Sequence, residues 1–415
     1  MRINIVSINY APERTGIGVY TTGMAEHFSE AGWSVTVHTG FEYYPAWRKQ
    51  AEDQGKLFRR QKMAGVSVRR CFLYVPEKPT ALKRMLHELS FSVSSALSYL
   101  VGPSSDVTVI VSPPLLLGPL IAVLGKLKSR HVVLHVQDLQ PDAAVELGML
   151  KPGLLTRMLY AVEGLGYRLV DRVSTISEPM RSRIVSKGLP ADSVFMVRNW
   201  ANDALVRPQD RLTALRAAWG YGADDIVVLY SGNLGRKQGL DSLLEVAASL
   251  REMTQLKFVI VGDGAEKQEL VGLAASMGLS NVAFQPLQPL ERLSELLATA
   301  DIGVIPQRKG MSDIVMPSKL SNILASGRPV VVAAVETSDI ARILVDGKCG
   351  LLVAPEDIEA MRQGILDLVR SPELRQQMGE HGRRYVELRL SRSGILGEFA
   401  KDLSARLDPQ HTKRG

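Results

Sequence analysis

Two doubly wound parallel sheets, each in its own Rossmann-like domain and the two facing a cleft, form the α/β architecture expected of this 415-residue chain. Three features carry that expectation. The chain exceeds the size at which one hydrophobic core stops growing, so two domains of roughly 200 residues each are the default. Each half alternates short β-branched runs with segments of helical periodicity, as buried parallel strands joined by right-handed crossovers do. In both halves the runs end in glycine-rich or polar loops, and open parallel sheets bind ligands at the carboxyl ends of their strands.

In chain order, INIVSI, SVTVHT, VSVRR, DVTVIVS, HVVLHVQD, RVSTIS and SVFMVRN read as strands of the first half. DIVVLYSG, LKFVIVGDG, VAFQPL, DIGVIP, PVVVAA and GLLVAP repeat the rhythm in the second, with helices such as DSLLEVAASLREM and IEAMRQGILDLVR between them. The polar, proline-containing stretch Arg198 to Arg211 follows a strand and reads as the boundary. The expected division is one Rossmann-like domain over 1–200, a second over 201–388, and a terminal helix and tail over 389–415 able to cross back to the first domain.

Composition narrows the setting. Cys71 and Cys349, the two cysteines, show neither metal-ligand spacing nor a disulfide framework, which fits the reducing cytoplasm. The amino terminus lacks the length and flanks of a signal peptide, and no apolar stretch is long enough to span a bilayer. Residues 1–200 carry 24 basic and 16 acidic side chains, so the whole excess of the +7 net charge lies in the first half. That half attracts an anionic surface or substrate, or is simply a solvated basic face. The segment Pro79 to Gly102 is either a peripheral docking element for the inner leaflet or a buried helix of the first core.

The loops hold the candidate chemistry. Gly16 and Gly18 open a helix after the first strand, and serve either an anion at its first turn or close strand–helix packing. Gly232, Gly235 and Gly239 form a loop whose Arg236 and Lys237 sit at a helix start, a position that calls for something negative such as a diphosphate unless both are solvated. Gly262, Asp263 and Gly264 end another strand; Asp263 caps the next helix or binds a ligand hydroxyl. A third loop carries Asp313, Pro317, Ser318 and Lys319 ahead of a helix that includes Asn322. In the first half Asp138 follows a strand, where a carboxylate can orient an acceptor hydroxyl, whereas His135 in mid-strand reads as a core histidine. A phosphate loop G-x-x-x-x-G-K-[ST], a nucleophile elbow and a zinc cluster are all missing from the sequence.

With these residues in place, the sequence resembles the family 4 glycosyltransferases of the GT-B fold, close to the bacterial colanic-acid and N-acetylfucosamine group. The resemblance rests on NYAPERTGIGVYTTG, LHVQDLQPDAAVELGML, VSTISEPM, VRNW, SGNLGRKQGL, IVGDG, ADIGVIPQRKG and MPSKLSNILASGRPVV in that order. It implies a nucleoside-diphosphate sugar as donor, held by the second domain, with no cofactor and no metal. It also implies retention of configuration, with the acceptor on the first domain. By position, Arg236 and Lys237 meet the diphosphate and Gly232, Asn233 and Gly262 to Gly264 line the nucleotide site. Pro317, Ser318, Lys319 and Asn322 contact nucleotide or sugar, and Gly16 and Gly18 close over the donor. Asp138, Asp313 and Lys319 are the expected catalytic residues.

Two departures stand out: where relatives keep two glutamates with seven residues between them, this chain has Ile314, beside Asp313, and Asn322, and the usual Arg and Lys of the phosphate loop fall on Asn233 and Gln238. The expected reaction moves a sugar, such as fucose or an N-acetylated relative, to a lipid-linked oligosaccharide at the cytoplasmic face of the inner membrane, and no nucleic-acid partner is expected. A GT-B epimerase or phosphorylase, and a nucleotide-sugar binding subunit with weak catalysis, are the competing readings.

Overall fold

The computed structural model describes residues 1–13, 16–44, 46–78, 80–146, 150–151, 153–203, 205–309 and 318–407. The chain divides into two compact units, Met1–Asn199 together with Ile395–Gly415, and Trp200–Gly394.

Among the described residues, the first unit holds an eight-stranded sheet. Its strands are β1 (Arg2–Val6), β2 (Ser34–Gly40), β3 (Phe58–Met63), β4 (Val66–Cys71), β5 (Ser105–Ser112), β6 (Ser129–Val136), β7 (Arg172–Thr175) and β8 (Val194–Met196). Their order is β3-β4-β2-β1-β5-β6-β7-β8. Seven were legible as apolar runs and are parallel. The exception is β3, which pairs antiparallel with β4 at the sheet edge through a two-residue turn, Ala64 and Gly65, both at positive φ. Arg59, Arg60 and Lys62 on this strand hide it from a search for buried runs and suit an edge, where charge discourages pairing with another chain.

Right-handed crossovers distribute the helices. From β1 the chain moves one way to β2, so Ile17–Glu30 lies on one face; from β4 through β7 it moves the other way, so Ala81–Leu100, Leu117–Lys128 and Leu154–Leu169 lie on the opposite face, packed side by side. The terminal helix Arg392–Leu407 belongs largely to this unit. Phe399 places its ring 5.8 Å from Phe28 and 5.6 Å from Phe195, and Asp402 pairs with Arg172 at 2.9 Å.

Among the described residues, the second unit holds a six-stranded, wholly parallel sheet of β9 (Ile226–Ser231), β10 (Leu256–Val261), β11 (Val282–Gln285), β12 (Ile302–Ile305), β13 (Val330–Ala333) and β14 (Gly350–Val353), ordered β11-β10-β9-β12-β13-β14. Alternate residues of β9 feed two separate cores: Val227 and Leu229 join one, Val228 and Tyr230 the other. Both faces of the sheet are therefore covered by helices, which is why its strands read as continuous apolar runs. Below the sheet, Arg216 is fully buried and donates to Asp301 at 2.9 Å, and Asp301 also accepts from the Val227 amide at 2.9 Å.

Candidate active site

The two glycine loops at the carboxyl ends of β9 and β10 are laced together. The Gly232 amide donates to the Val261 carbonyl at 2.9 Å and the Leu234 amide to the Asp263 carbonyl at 2.9 Å. Gly262 has φ +156°, and a Cβ there would lie 1.9 Å from the Gly232 carbonyl oxygen, so no other residue fits without moving backbone. Gly232, at φ +151°, faces a side chain instead: a Cβ on it would lie 2.3 Å from Cε of Lys319. Asp263 is exposed and accepts from the Gly264 amide at 2.9 Å, while the helix Lys267–Ser276 begins after Glu266; Asp263 therefore does not cap it.

Lys319 comes from the first turn of the helix Ser318–Ala325, an end where the helix dipole disfavours a cation. Its ammonium donates to Tyr230 Oη and to Gln238 Oε1, both at 2.6 Å, and lies 4.5 Å from the centroid of the Tyr230 ring. Burial pulls its pKa from 10.5 down to about 8. Tyr230 donates in turn to the Asn233 carbonyl at 2.6 Å, and burial pushes its phenol above the ordinary value. A charged, desolvated lysine with two neutral partners and no carboxylate among them is a standing site for an anion.

Around this lysine opens a cavity of about 280 Å³ lined by Gly232, Asn233, Lys319, Asn322, Ser326 and Arg328, among others. It unites four of the sequence-predicted donor residues, Gly232, Asn233, Lys319 and Asn322. Arg236 and Lys237 lie nearby in chain but apart from that lining: they form an exposed single turn, Arg236–Gln238, separated from the helix Leu240–Ser249 by the left-handed Gly239. The expected helix-start position is thus a short turn of its own. Arg308, from the loop after β12, braces it by donating to the Arg236 carbonyl at 2.8 Å and to Asp241 at 2.8 Å. Asp313 and Pro317 lie outside the described residues, and for Ser318 only the backbone is described.

The first unit presents a second group of residues at the carboxyl ends of its strands. Asp138, just past β6, is half-buried, and burial holds its carboxyl above the usual range. Glu88, from the helix Ala81–Leu100, accepts from Gln140 at 3.1 Å; burial raises it to about 6, with Asp138 adding repulsion. His135 is buried between Ser174 and Gln137, 2.9 Å from each, and burial lowers it to about 4. Gly16 caps the helix Ile17–Glu30 at φ +56°, and a Cβ on Gly18 would stand 3.2 Å from the Glu13 carbonyl, so the second glycine serves close packing of its own loop. Among the described residues, no group of three or more His, Cys, Asp or Glu is placed to hold a metal ion.

The sequence matches two family descriptions over most of its length: "Glycosyl transferase 4-like domain" over residues 15–200 and "Glycosyl transferases group 1" over residues 213–385. It is also 36% identical over 411 residues to WcaI of Escherichia coli strain K12, whose name assigns it to colanic acid biosynthesis, covering 97% of this chain and 100% of that one. The chain belongs to the group 1 glycosyltransferases. Solved structures place the fold of this glycosyltransferase alongside sucrose-phosphate synthase of Thermosynechococcus elongatus (TM-score 0.73, 19% identity, 98% and 99% of the two chains). HepE of Anabaena, solved with UDP and glucose, follows at TM-score 0.70 and 15% identity, covering 98% of this chain and 100% of that one. The family resemblance drawn from the ordered motifs holds, as does the GT-B class of two parallel-sheet α/β domains.

Sequence reasoning about this glycosyltransferase missed Tyr230, Arg328 and Glu88 as parts of the two groups. Tyr230 closes an apolar strand and gives no signal until its hydroxyl is seen at the strand end. Glu88 sits in a helix read for its apolar residues.

Proposed function

We propose that this glycosyltransferase transfers a sugar, of the fucose or N-acetylfucosamine kind, from a nucleoside diphosphate to a lipid-linked oligosaccharide during synthesis of a cell-surface polysaccharide. The observation that carries the reading is the desolvated Lys319 ammonium in a cavity at the strand ends, held among the described residues by the neutral partners Tyr230 and Gln238. The diphosphate occupies that cavity, Lys319 meets its charge, and Arg236 and Lys237 approach from the exposed turn beside it. Asn322 donates or accepts a hydrogen bond at a ribose hydroxyl, where relatives use a carboxylate. The name of WcaI supports a polysaccharide product.

In the reaction, the bond from the anomeric carbon to the leaving phosphate breaks as the bond to the acceptor oxygen forms on the same face, so configuration is retained. Positive charge on the sugar and negative charge on the diphosphate develop together, and the fixed cations stabilise the second. The acceptor proton passes to a leaving phosphate oxygen, and Asp138 orients the acceptor hydroxyl. No metal ion or cofactor takes part. The enzyme acts in the cytoplasm, at the inner face of the membrane.

A thermal-shift screen against nucleoside diphosphates and their sugars, followed by a transfer assay with the stabilising donor, tests this reading. Wild type should melt higher with one donor, and Lys319→Ala should lose both the shift and transfer. A set of donors none of which shifts the melting point, or full transfer by Lys319→Ala, would sink it. Release of sugar phosphate, or donor turnover without acceptor, would instead favour a phosphorylase or epimerase.

A further inference from the structure

The helices Ala81–Leu100, Leu117–Lys128 and Leu154–Leu169 lie side by side on one face of the eight-stranded sheet. A surface helix ordinarily turns its apolar stripe inward and its polar residues to water. The second half of Ala81–Leu100 departs from this: its buried side holds four serines beside Phe91 and Tyr99, and its exposed side is apolar. Ser92, Ser94, Ser95 and Ser98 are all buried, and their hydroxyls are used internally: Ser92 donates to the Glu88 carbonyl at 2.8 Å and Ser98 lies 2.9 Å from His38 Nδ1. Facing out in the same stretch are Val93, Leu97 and Leu100. They continue a stripe from Leu82, Leu86 and Leu89, at the spacing of one helix face.

The stripe widens across the neighbouring helices. Val123 and Leu127 are exposed on the second, Leu127 at 77%, and Leu154, Leu155, Met158 and Leu165 on the third, Leu154 also at 77%. The other exposed side chains described on these helices are apolar or are Lys83, Arg84, Lys126, Arg157 and Arg168. Glu88 and Glu163, the acids of the three helices, are not exposed. Among the described side chains of these three helices, then, the most exposed ones are hydrocarbon or positively charged. An apolar patch of this extent marks a docking surface.

We infer that this face seats the enzyme on a lipid bilayer with anionic headgroups. Leucines enter the boundary between headgroups and acyl chains, lysine and arginine stems run beside them and carry their charges to the lipid phosphates, and no exposed acid described on these helices opposes the approach. No helix described here is long and apolar enough to cross a membrane, so the helices lie in the plane of the interface. Charge decides against a second copy of the chain. A two-fold interface sets a surface against itself, and here it would bring five cations against the same five. The inference deepens the proposed function, and rests on it, by naming the surface on which the enzyme meets a lipid-linked acceptor.

Vesicle flotation of the full chain tests it. The protein should float with vesicles of phosphatidylethanolamine and phosphatidylglycerol at low salt, less at high salt, and weakly with phosphatidylcholine alone. The double variant Leu97→Gln, Leu127→Gln should lower partitioning at least about tenfold without lowering the melting temperature, because both side chains are exposed. Lys126→Gln with Arg157→Gln should lower binding to the anionic vesicles and flatten its salt dependence. No flotation at low salt, unchanged flotation of the leucine variant, or a sedimenting dimer that this variant dissolves would each overturn the inference. A nucleoside-diphosphate thermal shift on the same samples separates the two readings. Flotation without any nucleotide shift refutes the donor reading alone, and a nucleotide shift without flotation refutes this one.

Discussion

Replacing Lys319 by methionine should make the protein more stable and less able to bind its donor. The side chain keeps its length and loses its charge. Burial that brings the ammonium from 10.5 to about 8 weighs against the charged form by about 3 kcal/mol at neutral pH. Little is orphaned by the change, since Tyr230 still donates its one proton to the Asn233 carbonyl and the loss falls mainly on Gln238 Oε1, which gives up the lysine donor. Allowing about 1 kcal/mol for the lost contacts leaves a gain of about 2 kcal/mol, or roughly 4–8 °C in Tm for a unit of this size.

The pH dependence gives a second reading of the same group. Between pH 8 and 10.5 the unfolded lysine holds a proton that the folded one has released, so wild-type stability rises with pH through that window. The advantage of Lys319→Met should therefore be full below pH 8 and shrink towards pH 10. Thermal melts at several pH values, with and without nucleoside diphosphate, measure both effects. The variant should also lose at least about tenfold in nucleotide affinity, for want of the charge-assisted bond. A Tm at pH 7 equal to or below wild type, or an undiminished nucleotide shift, would refute the reasoning.

Other outcomes follow from the same geometry. Gly232→Ala should push Lys319 aside and weaken nucleotide binding at a stability cost of about 1 kcal/mol, whereas Gly262→Ala must move backbone and should cost several times more, as denaturant titration will read. Asp301→Ala strands the fully buried Arg216 and should lower stability by about 3–5 kcal/mol, seen as a large fall in Tm. Arg236→Ala with Lys237→Ala removes exposed cations, so Tm should hold within about 1 °C while donor affinity, by calorimetry, falls. Glu88, raised to about 6, is protonated below that pH; Glu88→Gln should flatten an acid limb in the transfer rate that centres there in wild type.

Much of the fold was legible because buried parallel strands announce themselves as apolar runs, and thirteen strands were read from such runs. The edge strand β3 was not, since an edge needs no burial on both faces and carries charge instead. At the candidate site the glycines and Lys319 could be read from strand ends, yet their physical reasons could not. Gly262 is glycine because another loop's carbonyl lies against it, and Lys319 is desolvated because Tyr230, 89 residues earlier, lies beneath it.

By itself the sequence determined two parallel-sheet domains, the family, and the loops that bear its candidate chemistry, all of which depend on local periodicity and ordered motifs. Only the tertiary structure decided how Lys319 is held, that Glu88 stands beside Asp138, and that the serines of Ala81–Leu100 turn inward while its leucines face out. The periodicity of a helix defines its two sides. Which of them the rest of the chain covers depends on contacts between residues far apart in sequence, and these exist only once the sheet is assembled.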